Sequence, residues 1–247
     1  MKILLLDIET APNVAHVWGL WQQNVGLNQI IDSGYVMCWA AKWYEDNEVI
    51  FDGINKSSPK TMLTRIHKLL TEADAVIHYN GTKFDIPTLN KEFLLYGMLP
   101  PAPYKQMDLL RVARSQFRFP SNKLDYIARA MGLGKKTQHT GHELWIQCMA
   151  KNKEAWATME EYNKNDVVLL EKVYEKLKPW IKNHVNHGIY EDGLCCPNCA
   201  SIKYQRRGFE YTRAYKYQRF QCSSCGTWFR GVQNNLAGEP RRFVGIA

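Results

Sequence analysis

The stretch Lys2-Ile3-Leu4-Leu5-Leu6-Asp7-Ile8-Glu9-Thr10 constrains the chain more than any other. A short run of Ile and Leu reads as a buried strand. Side chains at i and i+2 project to the same face of a strand. Asp7 and Glu9 therefore stand together at the end of a core strand, with Ile8 turned away. Two carboxylates fixed side by side repel each other, and a buried charge is costly unless it is paired. The pair calls for a cation, and a divalent metal ion is its natural occupant. The question for the rest of the chain is whether it supplies further ligands.

The segment Ala11 to Ser33 has no clean period and reads as a long loop. Gly34–Tyr44 and Glu48–Ile54 read as a hairpin turning at Asp46-Asn47. Lys60–Ala73 carries apolar residues at helical spacing behind the start signal Ser57-Ser58-Pro59. Ala75–Tyr79 is a short apolar strand and Ile86–Tyr96 a helix stopped by Gly97 and Pro100. Tyr104–Met107 reads as a strand. Helices follow from Asp108, over Lys123–Met131 and Glu143–Ala150, and as one or two over Glu154–Leu177. Three strands, then alternating helix and strand, then mostly helix predict an α/β fold: a mixed five-stranded sheet flanked by helices.

Three further acidic positions fit around Asp7 and Glu9. Asp85 closes Asn80-Gly81-Thr82-Lys83-Phe84-Asp85 at a strand-to-helix turn. The plainer alternative for it is a helix cap. Asp166 lies four residues after Tyr162 in the last long helix, so the two share a helix face. Asp108 reads as a helix cap first and a site neighbour second. His139 and His142 fall in a polar loop and carry no assigned role.

With these residues in place the chain resembles the DnaQ-like, or DEDD, family of 3′–5′ exonucleases on the ribonuclease H-like fold. The first motif is D-x-E, here Asp7-Ile8-Glu9. The second is Asn80 through Phe84-Asp85. The third, Tyr162 with Asp166, is similar to the tyrosine subclass. The D-I-E-T form also resembles the proofreading domains of family B DNA polymerases. The resemblance covers residues 1–180. It implies two Mg²⁺ or Mn²⁺ ions, with Asp7 bridging both, Glu9 and Asp166 holding the first and Asp85 serving the second. It further implies that Tyr162 orients the attacking water. Two such ions, about 4 Å apart, clamp the attacking and leaving oxygens of a phosphoryl displacement.

A boundary is expected near Asn183–Gly193, dividing an exonuclease domain, 1–183, from a small module, 194–247. Cys196 and Cys199 form one C-x2-C pair, and Cys222 and Cys225 a second, with 22 residues between the pairs. Four thiolates suit one structural Zn²⁺, and the spacing resembles a zinc ribbon. Cys195 is adjacent to Cys196, and a register swap between the two stays open. His184 and His187 are weaker ligand candidates, while Cys38 and Cys148 read as buried apolar residues. With neither a signal peptide nor a membrane span in view, a soluble protein of a reducing compartment is expected, where seven cysteines argue for metal binding over disulfides.

Charge separates the two parts. The formal net charge is +8, and nine of the 32 basic residues but only two of the 24 acidic ones lie from Leu194 on. Between the cysteine pairs, bases alternate with aromatics. Arg206, Arg207, Arg213, Lys216 and Arg219, with Arg230 beyond them, can track phosphates while Tyr and Phe stack on bases. The same aromatics also serve as the small module's own core.

The expected protein is a metal-dependent 3′–5′ exonuclease acting on DNA in replication or repair, alone or beside a separate DNA polymerase, and located in the cytoplasm. No run approaches a membrane span, and the first apolar run is too short for a signal peptide. Too few residues follow for a polymerase domain of its own. Two rivals stand beside this reading. One is an exoribonuclease with the same site, and the other is a non-catalytic module that binds nucleic acid or a polymerase.

Overall fold

The computed structural model describes residues 1–138, 140–191 and 193–236. His139, Glu239, Arg241 and Arg242 lie outside the described residues. The chain divides into two compact units, Lys2–Glu175 and a second that begins at Lys176 and includes Met1. Among the described residues no helix is long and apolar enough to cross a membrane.

The first unit opens with β1, Ile3–Thr10. A two-residue strand β2, Val14–Ala15, and β3, Ile30–Asp32, follow. Next come β4, Val36–Trp43, and β5, Ile50–Gly53. Helix α1, Pro59–Glu72, starts with Ser58 accepting from the Thr61 amide and Pro59 in its first turn, a start that satisfies an otherwise orphaned donor. Strand β6, Ala75–His78, leads to α2, Asp85–Leu95, and β7, Lys105–Asp108, to α3, Leu109–Gln116. Three helices complete the unit: α4, Leu124–Ala130, α5, His142–Met149, and α6, Lys153–Leu177.

Five strands form one sheet in the order β5-β4-β1-β6-β7. The β4 strand is antiparallel to both β1 and β5, and β6 is parallel to both β1 and β7. This is the mixed, helix-flanked sheet of the ribonuclease H-like fold, with β1 at its centre. Ile3, Leu4, Leu5 and Leu6 are all buried because the central strand is covered on both faces. Its alternation sorts the core. Leu4, Leu6 and Ile8 pack with Met62, Leu63, Ile66 and Leu70 of α1 and with Leu89 and Phe93 of α2. The opposite parity, which carries Asp7 and Glu9, faces the side where Leu144 and Cys148 of α5 and Trp156, Met159 and Tyr162 of α6 cluster with Met37 and Cys38.

The segment after β1 departs from the expected irregular loop. It is a short ribbon in which Val14 pairs with Asp32 and Ala15 with Ile30. Strands of two and three residues are too short to show a period.

In the second unit β8, Tyr204–Tyr211, β9, Lys216–Cys222, and β10, Trp228–Asn234, form an antiparallel sheet in the order β10-β9-β8. This sheet and the four cysteines beside it are compatible with a zinc ribbon.

Candidate active site

Asp7 and Glu9 sit opposite Ala40 and Cys38 of β4. Small side chains there leave room for two carboxylates on one face. The third acid comes from α6, where Asp166 is buried one turn beyond Tyr162. Carboxylate oxygens of Asp7, Glu9 and Asp166 lie within 4.8 Å of one another. Three hard oxygen donors this close suit a divalent ion such as Mg²⁺ or Mn²⁺.

Asp85 lies outside that trio but adjoins it. The β1–β6 pairing ends at Leu5–Ile77, and further along β1 the Ile8 amide donates to Asp85 Oδ1 at 3.1 Å. The buried Asp85 carboxylate is therefore tied to the backbone between Asp7 and Glu9. It caps no helix with its side chain, since the residue flanking α2 is Phe84, without a side-chain cap.

Electrostatics records the crowding. Burial, then repulsion from Glu9, Asp85 and Asp166, drives the Asp7 pKa well above the ordinary carboxylate range. Burial and Asp166 push Glu9 up to about 8. Burial raises Asp85 to about 7 against the opposing bond from Ile8. A bound cation would reverse each of these shifts.

Two residues of the site were not singled out in the sequence. Lys136, between α4 and α5, pairs with Asp166 Oδ2 and donates to Tyr162 Oη at 3.1 Å. Burial works against its charge, but Asp166, Tyr162 and Asp7 hold its pKa above the ordinary lysine value. Asn163, fully buried, donates from Nδ2 to Asp7 Oδ2 at 2.7 Å. Tyr162 packs edge-on to Trp145, with ring centroids 6.2 Å apart. Burial, then Asp166 and Glu9, raise its hydroxyl pKa, so it keeps its proton.

Asp108 both caps and positions. Its Oδ1 accepts from the Leu110 amide at 3.0 Å and from the Asn80 amide at 2.9 Å. Asn80 sits at φ +71°, a left-handed conformation that needs such support. Gly81 follows because a Cβ there would run into the buried His78 ring. Together these residues set the turn that delivers Asp85.

A cleft of about 510 Å³ opens from Asp7 past Asn80, Arg114, Lys123 and Lys136. A neighbouring recess of about 590 Å³ shares Asn80, Leu110 and Arg114 with it and adds Lys83 and Arg111. Five basic side chains thus line the approach to the carboxylates, although residues 1–193 are nearly neutral as a whole.

In the second unit the sulfurs of Cys196, Cys199, Cys222 and Cys225 lie within 4.8 Å of one another. Cys195, His184 and His187 are not in the group. Burial acts to raise the Cys222 thiol, but amides of Cys225 and Ser224 overcome it and lower its pKa to about 7. The predicted basic residues fall on both faces of the sheet. Arg206 shares one face with Phe220 and Phe229, and Lys216 lies over Phe209 at 4.1 Å on the same face. Arg219 and Arg230 share the other, where they stack on Trp228 at 4.9 Å and Tyr217 at 4.2 Å. Arg207 and Arg213 are exposed.

A five-stranded sheet of this order, with clustered carboxylates at the end of its central strand, defines a nuclease-type ribonuclease H-like domain. The chain belongs to the RNase_H superfamily, whose RNase_H_2 family matches residues 26–178. That match begins after Asp7 and Glu9. In fold the chain is similar to the family B DNA polymerase from the hyperthermophilic archaeon Pyrobaculum calidifontis, with a TM-score of 0.52 and 18% identity. The similarity covers 72% of this chain and 24% of the polymerase chain. No curated protein matches the chain in sequence.

Proposed function

We propose that the protein is a metal-dependent exonuclease that releases nucleoside 5′-monophosphates from the 3′ end of DNA. Residues 1–183 carry the reaction. Residues 194–247, folded around one Zn²⁺ on Cys196, Cys199, Cys222 and Cys225, grip the substrate. The observation that carries this reading is the convergence of Asp7, Glu9 and Asp166 from two elements far apart in sequence, with Asp85 and Tyr162 adjoining.

Asp7, Glu9 and Asp166 would hold one Mg²⁺ or Mn²⁺, and Asp85 with Asp7 a second. When bound, such ions acidify water and stabilise charge on the attacking and leaving oxygens. The residues of the chain do the positioning. Tyr162 Oη accepts from Lys136, and its own proton orients the water for in-line attack on the terminal phosphorus. Lys136 adds positive charge where the phosphate gains negative charge. Arg114, Lys123 and Lys83 hold the phosphates that remain. The phosphorus–3′-oxygen bond of the penultimate nucleotide breaks, and that oxygen takes a proton from solvent.

DNA is favoured over RNA by the D-I-E-T motif and by the fold shared with a DNA polymerase. The same likeness supports a separate DNA polymerase as a working partner in replication or repair. The test uses 5′-labelled single- and double-stranded DNA and RNA with purified protein and Mg²⁺. A ladder of shortened labelled products is expected, strongest with DNA, and absent with Asp7→Ala or with chelator. Activity that survives Asp7→Ala would refute the site. Faster decay of RNA would move the substrate to the exoribonuclease reading.

A further inference from the structure

Between β1 and β4 the chain carries no Lys, Arg, Asp or Glu from Ala11 to Ile31. This uncharged segment is nonetheless built as an arm. At its root the Ala11 amide donates to Tyr35 O at 2.9 Å, and the Gly34 amide to Asn13 Oδ1 at 2.7 Å. Above the β2–β3 pairing, the His16 amide donates to Gln29 O and Gln29 Nε2 returns a bond to His16 O, both at 2.9 Å. Gln29 Oε1 also accepts from the Gly26 amide at 2.8 Å. The tip presents Trp18, Leu20, Trp21 and Leu27, which are 98%, 87%, 84% and 88% exposed. Large apolar side chains grouped in water mark a contact surface.

We propose that the Trp18–Trp21 tip is a nucleobase-stacking element that holds the single-stranded end of the substrate beside the carboxylate cluster. This inference rests on the nuclease reading and adds a contact for bases within the first unit itself. Three observations select bases as the occupant. The first is position. The arm grows directly from the strand that carries Asp7 and Glu9, and its root residues Ala11 and Tyr35 pack in the same cluster as Tyr162. Trp18 is nine residues beyond Glu9, within roughly 30 Å of chain reach.

The second is charge. Phosphates already have Lys83, Arg111, Arg114 and Lys123 along the cleft. The tip has no cation to offer them and no carboxylate to repel them, so it complements the uncharged faces of bases. The third is tolerance. An enzyme that removes each nucleotide in turn must hold every base equally well. Indole stacking does so because every base has a π-face. Two indoles three residues apart can engage successive bases.

Binding can be measured without catalysis, in EDTA, with full-length protein and a short fluorescein-labelled oligothymidylate. Trp18→Ala/Trp21→Ala is expected to raise Kd by about tenfold or more. Trp18→Phe/Trp21→Phe, which keeps aromatic faces, should recover most of the loss. Both side chains are exposed, so the melting temperature should not move. With 5-fluorotryptophan incorporated, the fluorine resonances of Trp18 and Trp21, assigned from the single Phe variants, should shift as oligonucleotide is added.

Unchanged Kd and unshifted Trp18 and Trp21 resonances would overturn the proposal. So would a dimer in gel filtration that the Ala variant converts to monomer, which would make the tip an interface between copies. Nuclease activity is scored separately in Mg²⁺. Tip-dependent binding without cleavage would defeat the nuclease reading and keep the stacking element. Cleavage with tip-independent binding would do the reverse.

Discussion

Asn163 reaches from α6 to β1 and places its side-chain amide 2.7 Å from Asp7 Oδ2. The same nitrogen lies 3.3 Å from the Asp7 carbonyl oxygen. One buried amide thus fixes both the carboxylate and the backbone of the residue assigned to both metal ions. Residues that orient metal ligands typically matter by 10- to 100-fold in affinity or activity. Asn163→Ala is therefore expected to lower activity by about that range and to shift the Mg²⁺ dependence to higher concentration, with the circular dichroism spectrum retained. An unchanged Mg²⁺ titration would remove Asn163 from the site.

Lys136 brings positive charge into the carboxylate cluster. Its ammonium touches Asp166 and Tyr162 together, so its loss should act on the reaction more than on binding. Lys136→Met is expected to lower kcat by about 100-fold, with KM changed much less, as for other charge-stabilising groups. Lys136→Arg should retain part of the rate, because charge survives while the single-nitrogen geometry does not. A fall confined to KM would instead mark Lys136 as a phosphate contact.

Crowded carboxylates make the metal-free fold pH-sensitive. The Glu9 carboxyl titrates at about 8 in the fold against an ordinary 4.5. Between these values the native state holds a proton that the unfolded chain has released. Stability therefore falls as pH rises through this window. In EDTA the melting temperature should be lower at the alkaline end than near pH 5. Glu9→Gln should flatten this dependence relative to the parent protein. Mg²⁺ should stabilise most at alkaline pH, where the carboxylates bind without first losing protons. A parent and a Glu9→Gln variant with parallel profiles would contradict the assignment.

The sequence displayed the parts of the site that obey a period. The apolar run of β1 ends in Asp7 and Glu9, and Tyr162 and Asp166 stand one helical turn apart. Lys136 obeys none, since it lies in Gly132-Leu133-Gly134-Lys135-Lys136 beside a second lysine, and only the fold selects which one meets Asp166. Asn163 did leave a signal, because it precedes Asp166 by three positions and i, i+3 positions share a helix face. The basic cleft was hidden by averaging. Lys83 before α2, Arg111 and Arg114 on α3 and Lys123 before α4 belong to a nearly neutral domain and meet only in three dimensions. The β2–β3 arm was invisible because its strands are shorter than one period of alternation can reveal.

The four-cysteine cluster should hold one Zn²⁺ per chain, measurable by mass spectrometry of the purified protein. Beside it the sheet has a small aromatic core, with Tyr204, Phe220 and Phe229 at centroid distances of 5.4 to 5.7 Å. That core is slight against the roughly 10–16 kcal/mol a structural zinc site supplies. Cys199→Ser or a strong chelator is therefore expected to unfold the second unit. The first unit should keep its own melting transition, since its core uses none of these residues. A second unit that stays folded, by amide exchange, after zinc removal would show that the aromatics suffice.

Arg219 and Arg230 share one face of the second unit's sheet, but they are not equivalent. Arg230 already pairs with Glu210 at 2.8 Å, so a phosphate must compete with a resident carboxylate. Arg219 donates to the Arg207 carbonyl oxygen at 3.0 Å and stacks on the half-exposed Trp228, and among the described residues no carboxylate pairs with it. Each phosphate neutralised on a single strand contributes about 0.7 to the slope of log affinity against log salt. Arg219→Gln should lower that slope by about this amount, and Arg230→Gln by less. Deleting residues 194–247 should flatten the slope further and raise KM on long substrates while sparing kcat on short ones. The measurement is oligonucleotide affinity across a salt series in an Asp7→Asn background. A slope indifferent to the deletion would dismiss the second unit as a substrate grip.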